Sequence, residues 1–251
     1  MILFSDFDKT LFFRDNNKQT MANIKAIEKW RDAGNLFCIT TGRSFRSVTE
    51  QMPQIKHLCD YYIVDSGSIV LSHDEEMMDA FFFDQKTVDD ITNFSKYLPE
   101  IPILVYYTPD SEGLEYKTNR ITKLRLWFKD VSLLHDVNSQ IVDKFNVFSV
   151  YNNDLRIRPS CSELDGYHGF VEIIPLNSGK SNAIKALAKK AGVSPQDIIT
   201  IGDGLNDLGM VKDFGGYAIN NSELSNAETK INTISSLESL IDSKLADTAM
   251  L

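Results

Sequence analysis

Four short stretches of this chain carry side chains able to do polar chemistry together. The first is Met1-Ile-Leu-Phe-Ser-Asp6-Phe-Asp8-Lys-Thr10, where two carboxylates, one residue apart, follow directly on an apolar run. The others are Thr41-Gly42-Arg43, Gly179-Lys180 and Gly202-Asp203-Gly-Leu-Asn206-Asp207. Two carboxylates about 4 Å apart repel by roughly 4 kcal/mol at an effective dielectric of about 20. Such a pair needs a cation beside it, or one proton held between the two groups. Asp6 and Asp8 taken alone could equally be a solvated acidic turn, so the partners decide.

The surrounding pattern places these groups. Ile2 to Phe4 reads as a short buried strand ending near Asp6, because Asp-x-Asp is poor strand material. Thr20 to Ala33 has helical spacing through Ile24, Ile27 and Trp30, with Gly34 as a left-handed cap. Asn35 to Thr41 is a second strand, so a right-handed crossover makes the first two strands parallel. Asp60 to Gly67 is expected to be a third strand and turn, and Ser68 to Phe83 a hairpin with Ile69–Leu71 and Ala80–Phe83 as arms. Ser178 to Ala191, Asp197 to Gly202 and Leu208 to Lys212 repeat the helix–strand rhythm. Gly216 to Asn220 is expected to be the last strand, and Ser236 to Met250 a terminal helix. If the sheet is parallel, Asp6/Asp8, Thr41 and Asp203/Asp207 share its carboxyl edge, where open α/β sheets hold ligands. Hard oxygen donors there suit Mg²⁺, and a lysine, a hydroxyl and glycine-freed amides are parts suited to a phosphoryl group.

Between Gln85 and Pro175 the rhythm changes. Helices at 85–98 and 137–145 and strands at 103–108, 123–128, 147–151, 155–158 and 169–175 suggest a separate α+β module with an antiparallel sheet. Lys123-Leu-Arg-Leu-Trp-Phe128 alternates strictly. Leu124, Leu126 and Phe128 are expected to face the module's helices, which leaves Lys123, Arg125 and Trp127, with Arg156 and Arg158, on the other face. That basic, aromatic face either closes over the active site and reads an anionic substrate or is simply solvated.

Composition narrows the classes. The chain has 251 residues, 43% hydrophobic and 24% charged, enough for one large or two modest domains. A net charge of −9 argues against nucleic acid as a partner. Three widely spaced cysteines form no Cys-x-x-Cys pair, so neither zinc nor a disulfide framework is indicated, and the four histidines share no ligand spacing. No run is long enough for a membrane span and no leader pattern is visible, so a cytoplasmic protein is expected. Gly179-Lys180-Ser181 is not a nucleotide P-loop, because Ile174 stands where its first glycine is required.

Taken in order, Asp6-x-Asp8-x-Thr10, Thr41-Gly-Arg43, Gly179-Lys180 and Gly202-Asp203-Gly-Leu-Asn206-Asp207 resemble the four motifs of the haloacid dehalogenase superfamily. The long insertion resembles that of the Cof-type branch, whose members are mostly sugar-phosphate phosphatases. The resemblance implies a Rossmann-like parallel-sheet core of the α/β class (residues 1–81 and 176–251) with an inserted α+β cap domain (82–175). It implies an Mg²⁺-dependent phosphatase of small phosphorylated metabolites. Asp6 would be the nucleophile and Asp8 the acid and base. Thr41 and Gly42 would hold phosphoryl oxygens and Lys180 would neutralise charge. The metal set would be Asp6, Asp8 through its backbone carbonyl, Asp203, and Asp207 either directly or through water. Asn206 would touch substrate or steady the loop. One departure is Lys9, where many relatives have glycine. A phosphomutase and a silent phosphometabolite-binding protein remain alternatives, and the oligomeric state is not legible.

Overall fold

A computed structural model describes residues 1–108, 120–152, 165–227 and 230–249. Its strands, in chain order, are β1 (Ile2–Ser5), β2 (Leu36–Thr40), β3 (Tyr61–Val64), β4 (Ile69–Ser72), β5 (Met77–Ala80), β6 (Ile103–Tyr107), β7 (Lys123–Phe128), β8 (Val147–Asn152), β9 (Gly169–Pro175), β10 (Ile198–Gly202), β11 (Tyr217–Ile219) and β12 (Asn232–Ile234). The helices are α1 (Asn17–Asp32), α2 (Phe45–Gln51), α3 (Ile55–Leu58), α4 (Gln85–Ser95), α5 (Leu134–Lys144), α6 (Lys180–Ala191), α7 (Leu208–Asp213), α8 (Glu223–Ala227) and α9 (Leu237–Ala249). The chain divides into two compact units, Met1–Asp79 with Lys180–Leu251, and Ala80–Gly179. Among the described residues no helix is long and apolar enough to cross a membrane.

The first unit is built on a sheet of order β12-β11-β10-β1-β2-β3-β4-β5. Pairing is parallel from β12 to β3 and antiparallel between β3 and β4. Its central strands are buried on both faces, which is why they read as unbroken apolar runs. Ile2, Leu3 and Phe4 are essentially inaccessible, and burying a side chain of this size stabilises by about 1.5–3 kcal/mol. Helix α1 starts earlier than its apolar spacing suggests. The Asn16 side chain accepts the Gln19 amide as an N-cap, and the Thr20 hydroxyl accepts the Phe13 amide, so polar groups set the start. Ile24, Ile27 and Trp30 face inward, and Gly34 closes the turn at φ +80°.

Two expected strand boundaries are corrected. The second hairpin arm is Met77–Ala80, not Ala80–Phe83. Phe83 instead belongs to the core of the second unit, so its apolarity reflects packing rather than strand pairing. The first unit also has a strand beyond Tyr217–Ile219: Asn232–Ile234 pairs with it in parallel. Asn232 and Thr233 are exposed, so this edge strand carries too little apolar signal to be read from sequence.

The second unit is an antiparallel sheet of order β6-β7-β9-β8 with α4 and α5. Leu124, Leu126 and Phe128 lie in one core with Val88, Ile91, Val137, Ile141, Val171 and Ile173, as strict alternation predicts. The opposite face is not the open basic surface the pattern suggests. Arg125 stands directly across from Glu172 and donates to its carboxylate at 2.7 Å. Trp127 packs on Phe170 with ring centroids 4.6 Å apart, and Lys123 lies over the Tyr107 ring. A cross-strand ion pair therefore neutralises the cation expected to read an anion. Arg156, Arg158 and the expected strand at 155–158 lie outside the described residues. The partner of β8 among the described residues is β9.

Candidate active site

Strand register brings the distant motifs together. Ser5 lies beside Ile201 on one flank and Ile39 on the other, so β1, β2 and β10 end at the same level. Asp6 then donates its amide to the Ile201 carbonyl at 2.9 Å, and Thr41 donates its amide to Ile63 at 2.8 Å. One carboxylate oxygen from each of Asp6, Asp203 and Asp207 lies within 4.8 Å of the others. Lys180, the first residue of α6, donates to Asp6 Oδ1 at 2.6 Å and to Asp207 Oδ1 at 2.5 Å. A cation at a helix N-terminus is ordinarily unfavourable. Here two buried carboxylates offset that cost.

The electrostatics show an excess of negative charge. Burial pushes the Asp6 carboxyl well above its ordinary value. Lys180 opposes the shift, while Asp207, Asp203 and Asp8 add to it. Burial and Asp207 push Asp203 up to about 7, against the pull of Lys9, Lys180 and the Thr10 hydroxyl. Burial would lower the Lys180 ammonium, but Asp207 and Asp6 more than reverse this, so it stays charged. Carboxylates that hold protons this tightly lack positive charge. An all-oxygen donor set of this kind fits a hard divalent cation.

Asp207 also organises its own loop. Its Oδ2 accepts the amides of Asp203 and Gly204, each at 3.0 Å, and the residue is fully buried. Glycine at 202 makes room for it, because a Cβ there would lie 2.4 Å from Asp207 Cγ. Gly202→Ala is therefore expected to expel Asp207 and cost about 1–3 kcal/mol. A thermal melt checks this, and a variant melting with the wild type would show that the loop tolerates the shift. Asn206 is exposed on the same loop, with its Oδ1 beside Gly204 and outside the carboxylate cluster.

Asp8 is not with the other carboxylates. The amides of Leu11 and Phe12 both donate to the Phe7 carbonyl, and the Lys9 amide donates to Phe12, which folds residues 7–12 into a tight turn. Phe7 and Phe12 stack at 5.0 Å. This turn sends the Asp8 side chain to Arg43, which donates Nε to Oδ2 at 2.6 Å and Nη2 to Oδ1 at 2.8 Å. The Asp8 carboxylate thus faces arginine, which leaves the contact expected of Asp8 with a metal to its backbone carbonyl. The turn also explains Lys9. Its φ is +59°, a left-handed backbone that glycine adopts freely and other residues at a cost of roughly 1–3 kcal/mol.

Thr41 is buried, and its hydroxyl oxygen accepts the Arg43 amide at 3.1 Å. Gly42 lies against Ser66, whose Oγ would be 3.3 Å from a Cβ at 42. The segment after β3 is a part of the site that the sequence pattern does not disclose. Asp65, Ser66 and Gly67 have φ of +52°, +59° and +89°, three left-handed residues in succession. The Asp65 and Ser66 amides bond the Arg43 and Thr41 carbonyls, which ties this loop to the Thr41–Arg43 turn. Thr10, quoted in the first motif without a role, donates to Asp203 Oδ1 at 3.3 Å.

Comparison with known proteins agrees with this arrangement. The family described as haloacid dehalogenase-like hydrolase matches residues 3–232. The Bacillus subtilis protein named "Putative phosphatase YxeH" is 24% identical over 251 residues, covering 90% of this chain and 92% of its own. The solved sugar phosphatase BT4131, of HAD subclass IIB, superposes with a TM-score of 0.70 at 16% identity, covering 99% of this chain and 97% of its own. A Plasmodium vivax structure titled as a HAD/COF-like hydrolase has a TM-score of 0.75 at 18% identity, over 98% and 95% of the two chains. With the motifs in one site and the family matched across nearly the whole length, the chain belongs to the haloacid dehalogenase-like hydrolases and has the fold of their Cof-type members.

Proposed function

We propose that this hydrolase is an Mg²⁺-dependent phosphatase of small phosphorylated metabolites, sugar phosphates among them, working through an aspartyl-phosphate on Asp6. The supporting observation is the Asp6 carboxylate, buried at the strand edge with one oxygen on Lys180 and with Asp203 and Asp207 beside it. Such a carboxylate is placed to attack phosphorus, which splits one hard displacement into two easier ones. Asp8, being half-exposed, can exchange protons with water. It gives a proton to the leaving oxygen, then takes one from the water that cleaves the acyl-phosphate. The Thr41 hydroxyl and the Gly42 amide hold phosphoryl oxygens, and Lys180 keeps a fixed positive charge at the nucleophile. Asp6, Asp203 and Asp207 would hold Mg²⁺, with the Asp8 carbonyl as a further oxygen donor. The ion, when bound, would neutralise charge on the phosphoryl group.

Cys38 and Cys59 are buried free thiols, which supports a reducing cytoplasm as the place of work.

Phosphate release from a panel of phosphomonoesters tests the reading. Release is expected with Mg²⁺, lost in EDTA and restored by excess metal. Because Asp203 and Asp6 must both lose their protons to ligate, the affinity for Mg²⁺ should rise with pH through about 7, where Asp203 titrates. Release indifferent to EDTA would reject the metal. Transfer to a second sugar hydroxyl without free phosphate would replace hydrolysis by a mutase reaction.

A further inference from the structure

Asp8 has both carboxylate oxygens engaged by one guanidinium, and that guanidinium has further partners of its own. Arg43 Nη1 donates to the Ser47 hydroxyl at 3.1 Å, and the guanidinium lies 5.7 Å from the centre of the Phe7 ring. Its backbone is fixed at both ends, with its amide on Thr41 Oγ1 and its carbonyl receiving the Asp65 amide at 2.8 Å. A bidentate arginine–carboxylate pair has a set geometry as well as an energy. This one fixes where the Asp8 carboxylate points. It also gives each Asp8 oxygen an N–H donor in the resting site, and an O–H aimed along that same direction toward a leaving group requires that contact to open.

We propose that Arg43 is the positioning residue of Asp8: it holds both oxygens in the resting site and releases one, keeping the other, when Asp8 acts. The inference rests on the phosphatase reading above. The released oxygen takes a proton from solvent, which reaches Asp8 because 47% of its side chain is exposed. As the Asp6 oxygen bonds to phosphorus, the ester P–O bond breaks and its electron pair goes to the leaving oxygen. That oxygen receives the Asp8 proton, and Asp8 returns to Arg43 as a carboxylate. The oxygen retained by Arg43 keeps the carboxyl aimed throughout. Arg43 touches neither substrate nor metal in this account and acts only through Asp8.

The test uses two esters that differ in their need for an acid. p-Nitrophenyl phosphate releases a stable anion, whereas the best alkyl phosphomonoester of the panel must release an alcohol. The parameter kcat/KM reports the steps up to P–O cleavage. For Arg43→Ala, kcat/KM on the alkyl ester is expected to fall about tenfold or more beyond the loss on the p-nitrophenyl ester, since a placed general acid contributes roughly 10²–10⁴-fold. Arg43→Lys should recover part of the alkyl-ester loss. In an Asp8→Ala background, Arg43→Ala should cost nothing further, because the two residues act as one unit. Equal losses on both esters, or losses that add to those of Asp8→Ala, overturn the proposal. If Arg43→Ala melts early, the same ester comparison in Arg43→Lys decides. A wild-type protein that turns over neither ester would instead overturn the phosphatase reading itself.

Discussion

Asp6→Asn is expected to lower turnover by roughly 10⁴-fold or more, the scale on which losing a covalent nucleophile falls, without lowering the melting temperature of the metal-free protein at neutral pH. Asparagine cannot form the acyl-phosphate. It also removes a buried charge from a site with too many of them. The raised Asp6 value has burial as its largest cause, opposed by Lys180 and reinforced by Asp207, Asp203 and Asp8. A carboxyl of this kind binds its proton more tightly folded than unfolded. Its stabilising contribution is complete below the ordinary carboxylate range and is lost as pH rises through the raised value. Metal-free wild type should therefore lose stability as pH climbs from about 4, and Asp6→Asn should lose less. Lys180 keeps Asp207 as a partner in the variant, so no new orphan charge arises. Melting scans from pH 4 to 8 in EDTA, beside single-turnover assays, check both halves. Turnover within about tenfold of wild type would end the assignment of Asp6.

The residues of this site were legible where they repeat a local pattern. An apolar run broken by polar residues marks a strand end, and three such ends in one parallel sheet share an edge by topology alone. That places Asp6, Thr41 and Asp203 together before any coordinate is known. The pairing of side chains across the edge is a different kind of information. Nothing in the local sequence says that Asp8 faces Arg43 rather than the other carboxylates, because the direction is set by the Phe7–Phe12 turn and the left-handed Lys9. Nor does strand alternation tell that Arg125 meets Glu172. Alternation assigns a face, while the β7–β9 register assigns the neighbour. The left-handed run Asp65–Gly67 was hidden for a related reason. Two of its three residues are not glycine, so the strain is imposed by bonds to Thr41 and Arg43 and not announced by composition. Positions at strand ends are thus a property of the chain pattern, and the chemistry between them is a property of the packed turn.

Lys180→Met should be the most destabilising single change at the site. The side chain is 3% exposed and bonds two carboxylates that are themselves buried, Asp6 at 9% and Asp207 at 0%. Methionine fills a similar volume but leaves Asp6 and Asp207 facing each other with no cation between them. Removing one partner of a buried ion pair costs about 3–5 kcal/mol, because the desolvated charge left behind has nothing to offset it. For a chain of this size that is roughly 10 °C in melting temperature. The loss should shrink in Mg²⁺, which supplies positive charge to the same oxygens. It should also shrink as pH falls and the carboxyls that bind protons tightly become neutral. Melts at pH 8 with EDTA, at pH 8 with Mg²⁺ and at pH 5 separate these cases. A loss of 10 °C that neither metal nor acid repairs would mean that Lys180 stabilises by packing its methylene chain, and the ammonium would no longer be the group that makes an acidic strand edge tolerable.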